Sequence, residues 1–193
     1  MAAPVKAIVL SLAIGGVVGF GAGVVAVKAG RELFVGMFAS ERAATVATPT
    51  TVDRPSFVFQ HAGNWRVDAT DKDYDADHSF SVETPGQSFV MFQIAEGDLE
   101  PKDVVETHAA LQMAKVIKQA TRTSFTKWGA YTGEGALLTG KHLGLTPGTV
   151  RIFAFRVGER TYTVVESTYD DDRANVEPGF RLIERTFRVK GAR

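Results

Sequence analysis

Alternating carboxylates are the densest group of side chains in this sequence that could do chemistry. Asp71, Asp73, Asp75 and Asp77 stand at every second position, shortly after Asp68 and just before an alternating strand pattern. Carboxylate oxygens placed in this way are the ligands that a hard cation such as Ca²⁺ takes. The spacing therefore predicts a metal site at Asp71, Asp73, Asp75 and Asp77, with Ca²⁺ as the alternative to having no cofactor.

The same residues also fit a solvated acidic loop that holds no ion. A helix-loop-helix calcium loop beginning at Asp71 needs Gly at its sixth position and Glu at its twelfth, where this chain has Ala76 and Val82. The solvated hairpin loop is therefore the preferred interpretation. A second acidic run, Asp170 to Asp172, follows a strong strand pattern and could join the first group across one end of a sheet.

No arrangement of residues is typical of catalysis. The four histidines form no pair at the spacing that binds a metal on a helix, and the sequence contains no cysteine, no P-loop and no nucleophile elbow. Lys plus Arg balance Asp plus Glu at 22 each, which leaves no basic field for nucleic acid. We predict that the protein is not an enzyme and binds no nucleic acid, with an uncharacterised hydrolase as the third-ranked function.

Two aromatic side chains are candidates for a partner-binding surface. Trp128 and Tyr131 lie in a loop segment that also contains Gly129 and Gly133. Aromatic residues are enriched in protein interfaces. They are also ordinary core residues in a chain with 13 Phe. We predict partner binding at Trp128 and Tyr131, and burial in the core is the open alternative.

The elements that must position these residues are mostly strands. Phe80 and Val82 alternate with polar neighbours, which is typical of a half-buried strand, whereas residues 88–94 are apolar on both faces and predict a central strand. Residues 150–157 and 161–167 predict a hairpin across Gly158 and Glu159. Further strands are expected at residues 64–68, 135–143 and 186–189.

Two helices are expected to cover the sheet. One begins at Pro101 and keeps an apolar face at helical spacing as far as Ala120, and the other begins near Pro178. Because both faces of the central strands need a cover, the predicted fold class is α+β. It consists of an N-terminal transmembrane helix and then a three-layer α/β/α sandwich around a mainly antiparallel sheet.

An uncharged stretch near the start of the chain predicts a membrane anchor. Residues Ala7 to Val27 carry no charge and are bounded by Lys6 and Lys28. As a helix this stretch is about 31 Å long, close to the hydrocarbon thickness of a bilayer. An uncleaved single-pass anchor is preferred to a cleaved signal peptide, whose apolar core is shorter. The lipid bilayer is therefore a predicted partner.

A stripe of small residues runs along the predicted transmembrane helix. Ser11, Gly15, Gly19 and Gly23 recur every four positions, in line with Ala7. Small residues let two helix backbones approach closely in lipid, so the stripe predicts helix packing and a homodimer. The alternative is chance, because Ala, Gly and Ser are abundant throughout this segment.

The chain divides into three parts by composition. We assign residues 1–30 to the transmembrane anchor, 31–53 to a juxtamembrane segment and a Thr/Ala/Pro linker, and 54–193 to one globular domain. Residues 43–51 lack core-forming side chains and predict a flexible tether. The positive-inside rule mildly favours a cytoplasmic domain, but a short N-terminus followed by span, linker and domain is typical of exported proteins. We predict an extracytoplasmic domain.

Several segments of the domain resemble the PsbP-like superfamily. Gly63, Asn64 and Trp65 open a strand, and the segment FSVETPG at residues 80–86 precedes the long amphipathic helix. The paired strands at residues 151–168 and the closing segment EPGFRLIERTFRV at residues 177–189 are similar as well. This superfamily contains extrinsic photosystem II subunits, the Mog family of Ran-binding factors and anchored bacterial members.

The resemblance covers roughly residues 55–190 and implies a three-layer sandwich that binds or assembles and does not catalyse. It carries over no functional residue to this chain. The predicted function is a membrane-anchored, non-enzymatic binding or assembly module with an unknown protein partner. The alternative is a calcium-responsive envelope module that uses the two acidic runs.

Substitution of Gly19 tests the helix stripe. Gly19→Leu should reduce in-membrane crosslinking of the full chain, since a branched side chain separates the two helix backbones. Val17→Leu, off the stripe, is the matched control and should crosslink like the wild type. Equal crosslinking of all three proteins would show that the stripe does not mediate association.

Overall fold

Strands make up most of the folded chain, as the alternating patterns predict. The computed structural model describes residues 41–71 and 73–191. In this part of the chain every strand pair is antiparallel. The strands are β1 (Thr50–Asp53), β2 (Phe57–His61), β3 (Arg66–Val67), β4 (Ser79–Glu83), β5 (Phe89–Glu96), β6 (Ile117–Trp128), β7 (Tyr131–His142), β8 (Thr146–Val157), β9 (Arg160–Tyr169) and β10 (Arg188–Val189). The helices are α1 (Pro101–Lys115) and α2 (Arg173–Thr186), and a short 3₁₀ helix (Asp170–Asp172) precedes α2.

The strands form one large and one small sheet. The main sheet has seven strands in the order β3-β4-β5-β9-β8-β7-β6, and the small sheet has the order β1-β2-β10. Strands β8 and β9 form the predicted hairpin, in which Val157 pairs with Arg160 across Gly158 and Glu159. Strand β5 is buried on both faces over most of its length, as predicted for a central strand. Strand β6 is an edge, and its register shifts twice along β7.

Different elements cover the two faces of the main sheet. Helix α1 packs on β6, β7 and β8, where Val105 and Ala109 meet a layer that includes Ile152 and Val165. Helix α2 and the small sheet cover the opposite face and enclose the larger core. The predicted α+β sandwich around an antiparallel sheet is therefore confirmed.

The larger core is an aromatic cluster centred on Phe187, the residue directly after the end of α2. Its side chain is fully buried, and its ring centroid lies 5.5–6.2 Å from seven other ring centroids. Rings at these separations gain stacking and edge contacts beyond the area that they bury. The seven rings come from both sheets and belong to Phe57, Phe59, Phe92, Trp128, Tyr131, Phe155 and Tyr162.

The ends of both helices differ from their predicted positions. Helix α1 ends at Lys115, so the prediction of a helix as far as Ala120 is wrong; residues from Ile117 onward pair with β7 as strand β6. The β-branched pair Val116 and Ile117 favours a strand at this point. Helix α2 begins at Arg173 and contains Pro178 in its interior, so the predicted start at Pro178 is also wrong.

Residues 41–53 lie against the domain, whereas the sequence predicts a flexible tether over residues 43–51. The backbone N–H of Thr45 donates to Asn64 Oδ1 at 2.8 Å, and its carbonyl oxygen accepts from the N–H of Gly63 at 3.0 Å. Ala44 N–H donates to the carbonyl oxygen of Asn175 at 2.9 Å, and Val52 is a core residue in β1. Side-chain composition missed this docking because backbone groups make most of the contacts.

The predicted transmembrane helix and its small-residue stripe lie outside the described residues. Of the helices in residues 41–71 and 73–191, none has the length and apolar character that crossing a bilayer requires.

The buried face of α1 carries a histidine. His108 is 1 % exposed, and neither ring nitrogen has a hydrogen-bond partner among the described residues. Burial lowers the pKa of His108 to about 4 from the ordinary value of 6.5. The folded domain therefore keeps His108 neutral at pH values where the unfolded chain protonates it.

Acid should destabilise the domain through His108. Since the unfolded state takes up a proton below pH 6.5 and the folded state does so only near pH 4, lowering the pH from 7 to 5 should cost about 2 kcal/mol of unfolding free energy. Urea unfolding of the full chain in detergent, at both pH values, measures this loss.

His108→Leu should lose correspondingly less stability over the same pH interval, because it has no proton to gain. His78→Gln is the matched control, since His78 is about half exposed, and it should keep the loss of the wild type. An equal acid loss in wild type and His108→Leu would contradict the assignment.

Candidate functional site

An open groove of about 330 Å³ lies beside α2 on the aromatic-core side of the main sheet. Strands β6, β7, β8 and β9 form its floor, and α2 forms one wall. Helix α2 packs chiefly on β2 and β9, so it leaves this face of β6 and β7 uncovered. The groove is our candidate functional site.

Strand register brings the floor of the groove together. Thr123, Leu137, Arg151 and Glu166 pair successively across β6, β7, β8 and β9 and form one row. Neighbouring positions along each strand point to the opposite face. The sequence can thus place charged residues in the groove while the alternate residues of β8 and β9 fill the α1 layer.

A second row on the groove side consists of threonines. Thr121, Thr139, Thr149 and Thr168 pair across the same four strands. Arg173 Nη2 donates to Thr149 Oγ1 at 3.2 Å, which ties this row to the start of α2. The groove therefore offers hydroxyl groups beside a charged row, a lining suited to a ligand that makes hydrogen bonds.

Arg151 is the centre of the charged row. Its Nη1 donates to Glu166 Oε2 at 3.3 Å and to Glu184 Oε2 at 3.1 Å, and its Nη2 donates to Glu184 Oε1 at 3.3 Å. The guanidinium carbon lies 4.8 Å from the centroid of the Phe125 ring, close enough for a cation–π contact. One cation therefore joins β6, β9 and α2.

The turn between β6 and β7 completes this network. Trp128 Nε1 donates to Glu166 Oε1 at 3.0 Å, and the backbone N–H of Gly129 donates to Glu184 Oε1 at 2.9 Å. Gly129 has φ 56°, and a Cβ there would lie 2.3 Å from the carbonyl oxygen of Glu184. Only glycine combines that backbone conformation with so close an approach.

The two carboxylates of the network differ in their electrostatics. Burial raises the pKa of Glu166 above its ordinary value, against the opposing effect of the Arg151 charge. Burial acts in the same direction on Glu184, but hydrogen bonds from Arg151 and Gly129 outweigh it and lower the pKa of that carboxyl. Both oxygens of Glu166 already accept hydrogen bonds, so it is poorly placed to take a proton from a substrate.

Cations line the edges of the groove. Arg181 Nε donates to Glu177 Oε1 at 2.8 Å, and its Nη1 donates to Glu184 Oε2 at 3.0 Å. Arg173 pairs with Asp170 at 2.8 Å. Lys127 is exposed on β6 and forms no ion pair with any described residue. Among the described residues, Lys127 is thus an edge cation without an ion pair, whereas Arg173, Arg181 and the charged row are neutralised within the domain.

The two predicted partner-binding aromatics belong mainly to the core. Trp128 is 1 % exposed, and its indole holds Glu166 from beneath the groove. Tyr131 is half-buried, its ring stacks on Phe155 at 4.1 Å, and its hydroxyl accepts from the N–H of Val189. Trp128 therefore acts on a ligand in the groove only indirectly, by positioning Glu166.

The predicted metal ligands are engaged with their own loop. Asp71 Oδ1 accepts from Asp73 N–H, and Asp75 Oδ1 accepts from Asp77 N–H, each at 2.9 Å. Such bonds are typical of turns that Asp residues stabilise. No group of three or more metal-binding side chains with suitable geometry occurs in residues 41–71 and 73–191. The calcium site stays a prediction from the sequence.

The two acidic runs lie at opposite ends of the main sheet. The loop at residues 71–77 precedes Ser79, which aligns through Gln93 with Thr163 near the start of β9. Asp170 follows Tyr169, where β9 ends. Strand register therefore separates the two runs, and they do not share a site.

The charged row is not among the site residues predicted from the sequence, although the sequence carries a signal for it. In the predicted hairpin, pairing across Gly158 and Glu159 places Arg151 directly opposite Glu166. Opposite charges facing each other inside two otherwise apolar strands are unusual enough to mark a site. The contribution of Glu184 had no such signal, because it depends on how α2 packs.

Removal of Arg151 should destabilise the domain strongly. Arg151→Ala leaves Glu166 buried without a cation and Glu184 with only the exposed Arg181, and breaking a buried pair typically costs about 3–5 kcal/mol. Arg181→Ala is the matched control: it removes an exposed partner of the same Glu184 and should cost about 1 kcal/mol or less. Urea unfolding of the full chain measures both, and equal losses would contradict the central role of Arg151.

Comparison with known proteins identifies the fold. No protein-family model matches the chain, and no curated protein is significantly similar in sequence. The Ran-binding protein Mog1p of Saccharomyces cerevisiae aligns with a TM-score of 0.51 at 8% identity, over 74% of this chain and 95% of Mog1p.

Two further solved structures are similar. A single-residue mutant of Mog1 aligns with a TM-score of 0.53 at 9% identity, over 74% of this chain and 96% of its own. The cyanobacterial PsbP of Synechocystis aligns with a TM-score of 0.42 at 13% identity, over 80% and 99%. The two Mog1 alignments show that the domain has a Mog1-like fold, the fold that the resemblance to the PsbP-like superfamily implies.

Proposed function

We propose that this protein is a membrane-anchored, non-enzymatic module that binds a partner protein through the groove beside α2. The observation that carries the proposal is the groove itself, a solvent-open channel with a charged row, a threonine row and cations at its edge. Mog1p is by its name a Ran-binding protein, so a domain of this fold can serve protein binding. That likeness extends to the fold alone.

The lining of the groove favours a polar segment of the partner. Thr123 and Lys127 on the β6 side face Arg181 on the α2 side, and all three side chains are exposed. Hydroxyl and cationic groups on two opposite walls can donate hydrogen bonds to the carbonyls and carboxylates of an extended peptide. The aromatic core beneath the floor of the groove is buried, and it keeps the shape of the groove fixed.

The charged row supports binding and argues against acid–base catalysis at this site. A general base needs a free lone pair within reach of a substrate proton. Glu166 gives one oxygen to Trp128 and the other to Arg151. Its role is therefore to hold the groove in shape, through β8, β9 and the β6–β7 turn.

The location that we propose follows from the N-terminal segment. The uncharged stretch Ala7 to Val27 would hold the protein in a bilayer as a single span, with helix packing through Ser11, Gly15, Gly19 and Gly23. The domain would lie on the extracytoplasmic side. The partner would then be a membrane or envelope protein whose polar segment reaches the groove.

Blocking the groove tests the proposal. A photo-crosslinking residue placed at Lys127 of the full chain should capture a defined partner in native cells, because Lys127 lines the groove and is exposed. Adding Thr123→Trp, which fills the mouth of the groove with a large ring, should reduce that crosslink at least tenfold.

The matched control is Lys102→Trp, an equally large substitution at an exposed position of α1 on the other face of the sheet. It should leave the crosslink and the melting temperature unchanged. If both tryptophan variants retain the wild-type crosslink, the groove is not the binding surface.

A further inference from the structure

Two leucines occupy the tip of the β7–β8 hairpin and are exposed to solvent. Leu143 is 42 % exposed and Leu145 is 74 % exposed, and they are the large apolar side chains that the described residues leave outside the core. Single exposed leucines are ordinary on protein surfaces, but a pair at the tip of a projecting hairpin forms a local apolar contact point.

Hydrogen bonds hold the tip in one conformation. Leu143 N–H donates to the carbonyl oxygen of Val116 at 2.7 Å, and Leu145 N–H donates to that of His142 at 2.9 Å. Leu143 has φ 50°, a conformation that Asn or Gly adopts with less strain. The fold therefore presents a leucine where local backbone preferences favour another residue.

The tip projects beyond the neighbouring strand. The pairing of β8 with β9 ends at Gly148 and Tyr169, whereas β7 and β8 stay paired as far as His142 and Thr146. Two further residues of strand correspond to about 7 Å. The leucines thus stand past the end of β9.

The N-terminal segment enters the domain at this same end of the sheet. Glu41 Oε2 accepts from Thr84 Oγ1 at 2.9 Å and from Gln87 N–H at 3.1 Å, in the turn between β4 and β5. Strand β5 starts after this turn at Phe89, which pairs with Ser167 near the end of β9. The first described residue and the leucine tip therefore lie at one end of the main sheet.

This end is also the one that the predicted membrane span can bring nearest to the bilayer. Residues 28–40 separate the uncharged stretch from Glu41, and thirteen residues reach at most about 45 Å when fully extended. The opposite end of the sheet, with the turn at Gly158 and Glu159, is farther from the point of attachment by the length of β9.

We propose that the leucine tip, Leu143 to Leu145, contacts the lipid surface of the membrane that holds the N-terminal segment. This inference rests on the membrane anchoring in the proposed function. Apolar side chains that enter the interfacial layer, with cations beside them, are typical of membrane-contacting segments.

Charges of both signs surround the leucine tip at this end of the sheet. Lys141 is exposed beside the tip, and Lys118 Nζ donates to the carbonyl oxygen of Ala114 close by. The acidic run Asp170 to Asp172 also lies at this end, beyond Tyr169, and Arg173 pairs with Asp170 there. The contact therefore depends on the leucines and needs no anionic lipid. The contact orients the domain with this end toward the bilayer and leaves the groove along its side.

Site-specific labelling of the full chain in vesicles tests the contact. Because the sequence has no cysteine, Thr146→Cys gives one labelling site beside the tip and keeps both leucines. Glu159→Cys, in the β8–β9 turn at the opposite end, is the matched control. Each protein would carry an environment-sensitive fluorophore in phosphatidylcholine vesicles with and without one-quarter phosphatidylglycerol, and spin-labelled lipid would be the quencher.

The label at residue 146 should be quenched at least threefold more than the label at residue 159 in both vesicle types, because the leucines and not the lipid charge carry the contact. Leu143→Asn combined with Leu145→Ser should abolish the difference without lowering the melting temperature, since Asn tolerates the φ of Leu143.

Equal quenching at both positions in protein that floats with the vesicles would overturn the contact and leave the anchoring intact. A chain that does not float with the vesicles would overturn both. Quenching that survives the double substitution would also overturn the proposal, because the leucines would then not carry the contact.

Discussion

The packing of Phe187 is the interaction on which the rest of the structure depends. This one ring lies among aromatic residues of both sheets and follows directly after α2, so it fixes the helix, the small sheet and the main sheet relative to one another. Trp128 packs edge-on against it, and the indole of Trp128 in turn holds Glu166. The core therefore fixes the shape of the groove, because the buried carboxylate of Glu166 in the groove accepts a hydrogen bond from the core residue Trp128.

Much of the fold could be predicted from local patterns, and the failures have a common cause. The apolar segment at residues 88–94 and the hairpin across Gly158 lie where periodicity and turn chemistry predict, since both depend on neighbours in sequence. The end of α1 and the docking of residues 41–53 depend instead on distant partners. Thr45 forms hydrogen bonds with Gly63 and Asn64, and Ile117 pairs with His142. Local composition does not predict either contact.

The site could be predicted only in part. Trp128 was identified as important from its type and its glycine neighbour, but its role is to support Glu166 from inside the core. Arg151 and Glu166 could be matched through the hairpin register, whereas Glu184 reaches them only because Gly129 lets α2 approach the β6–β7 turn. When several elements form a site, the sequence thus predicts only those contacts whose two residues lie in one hairpin.

Strand β6 forms a long open edge, and this has a consequence for how crowded copies of the protein behave. No other strand of the described residues pairs with the outer side of these twelve residues, and such an edge is a template on which a second chain can add a strand and start aggregation. The register shifts beside Lys118 and Lys127 interrupt that template near both ends, Gln119 has a left-handed backbone, and Arg122 adds a charge between them. The regular stretch that remains runs only from Thr121 to Phe125, which shortens the template that this edge offers to a second chain.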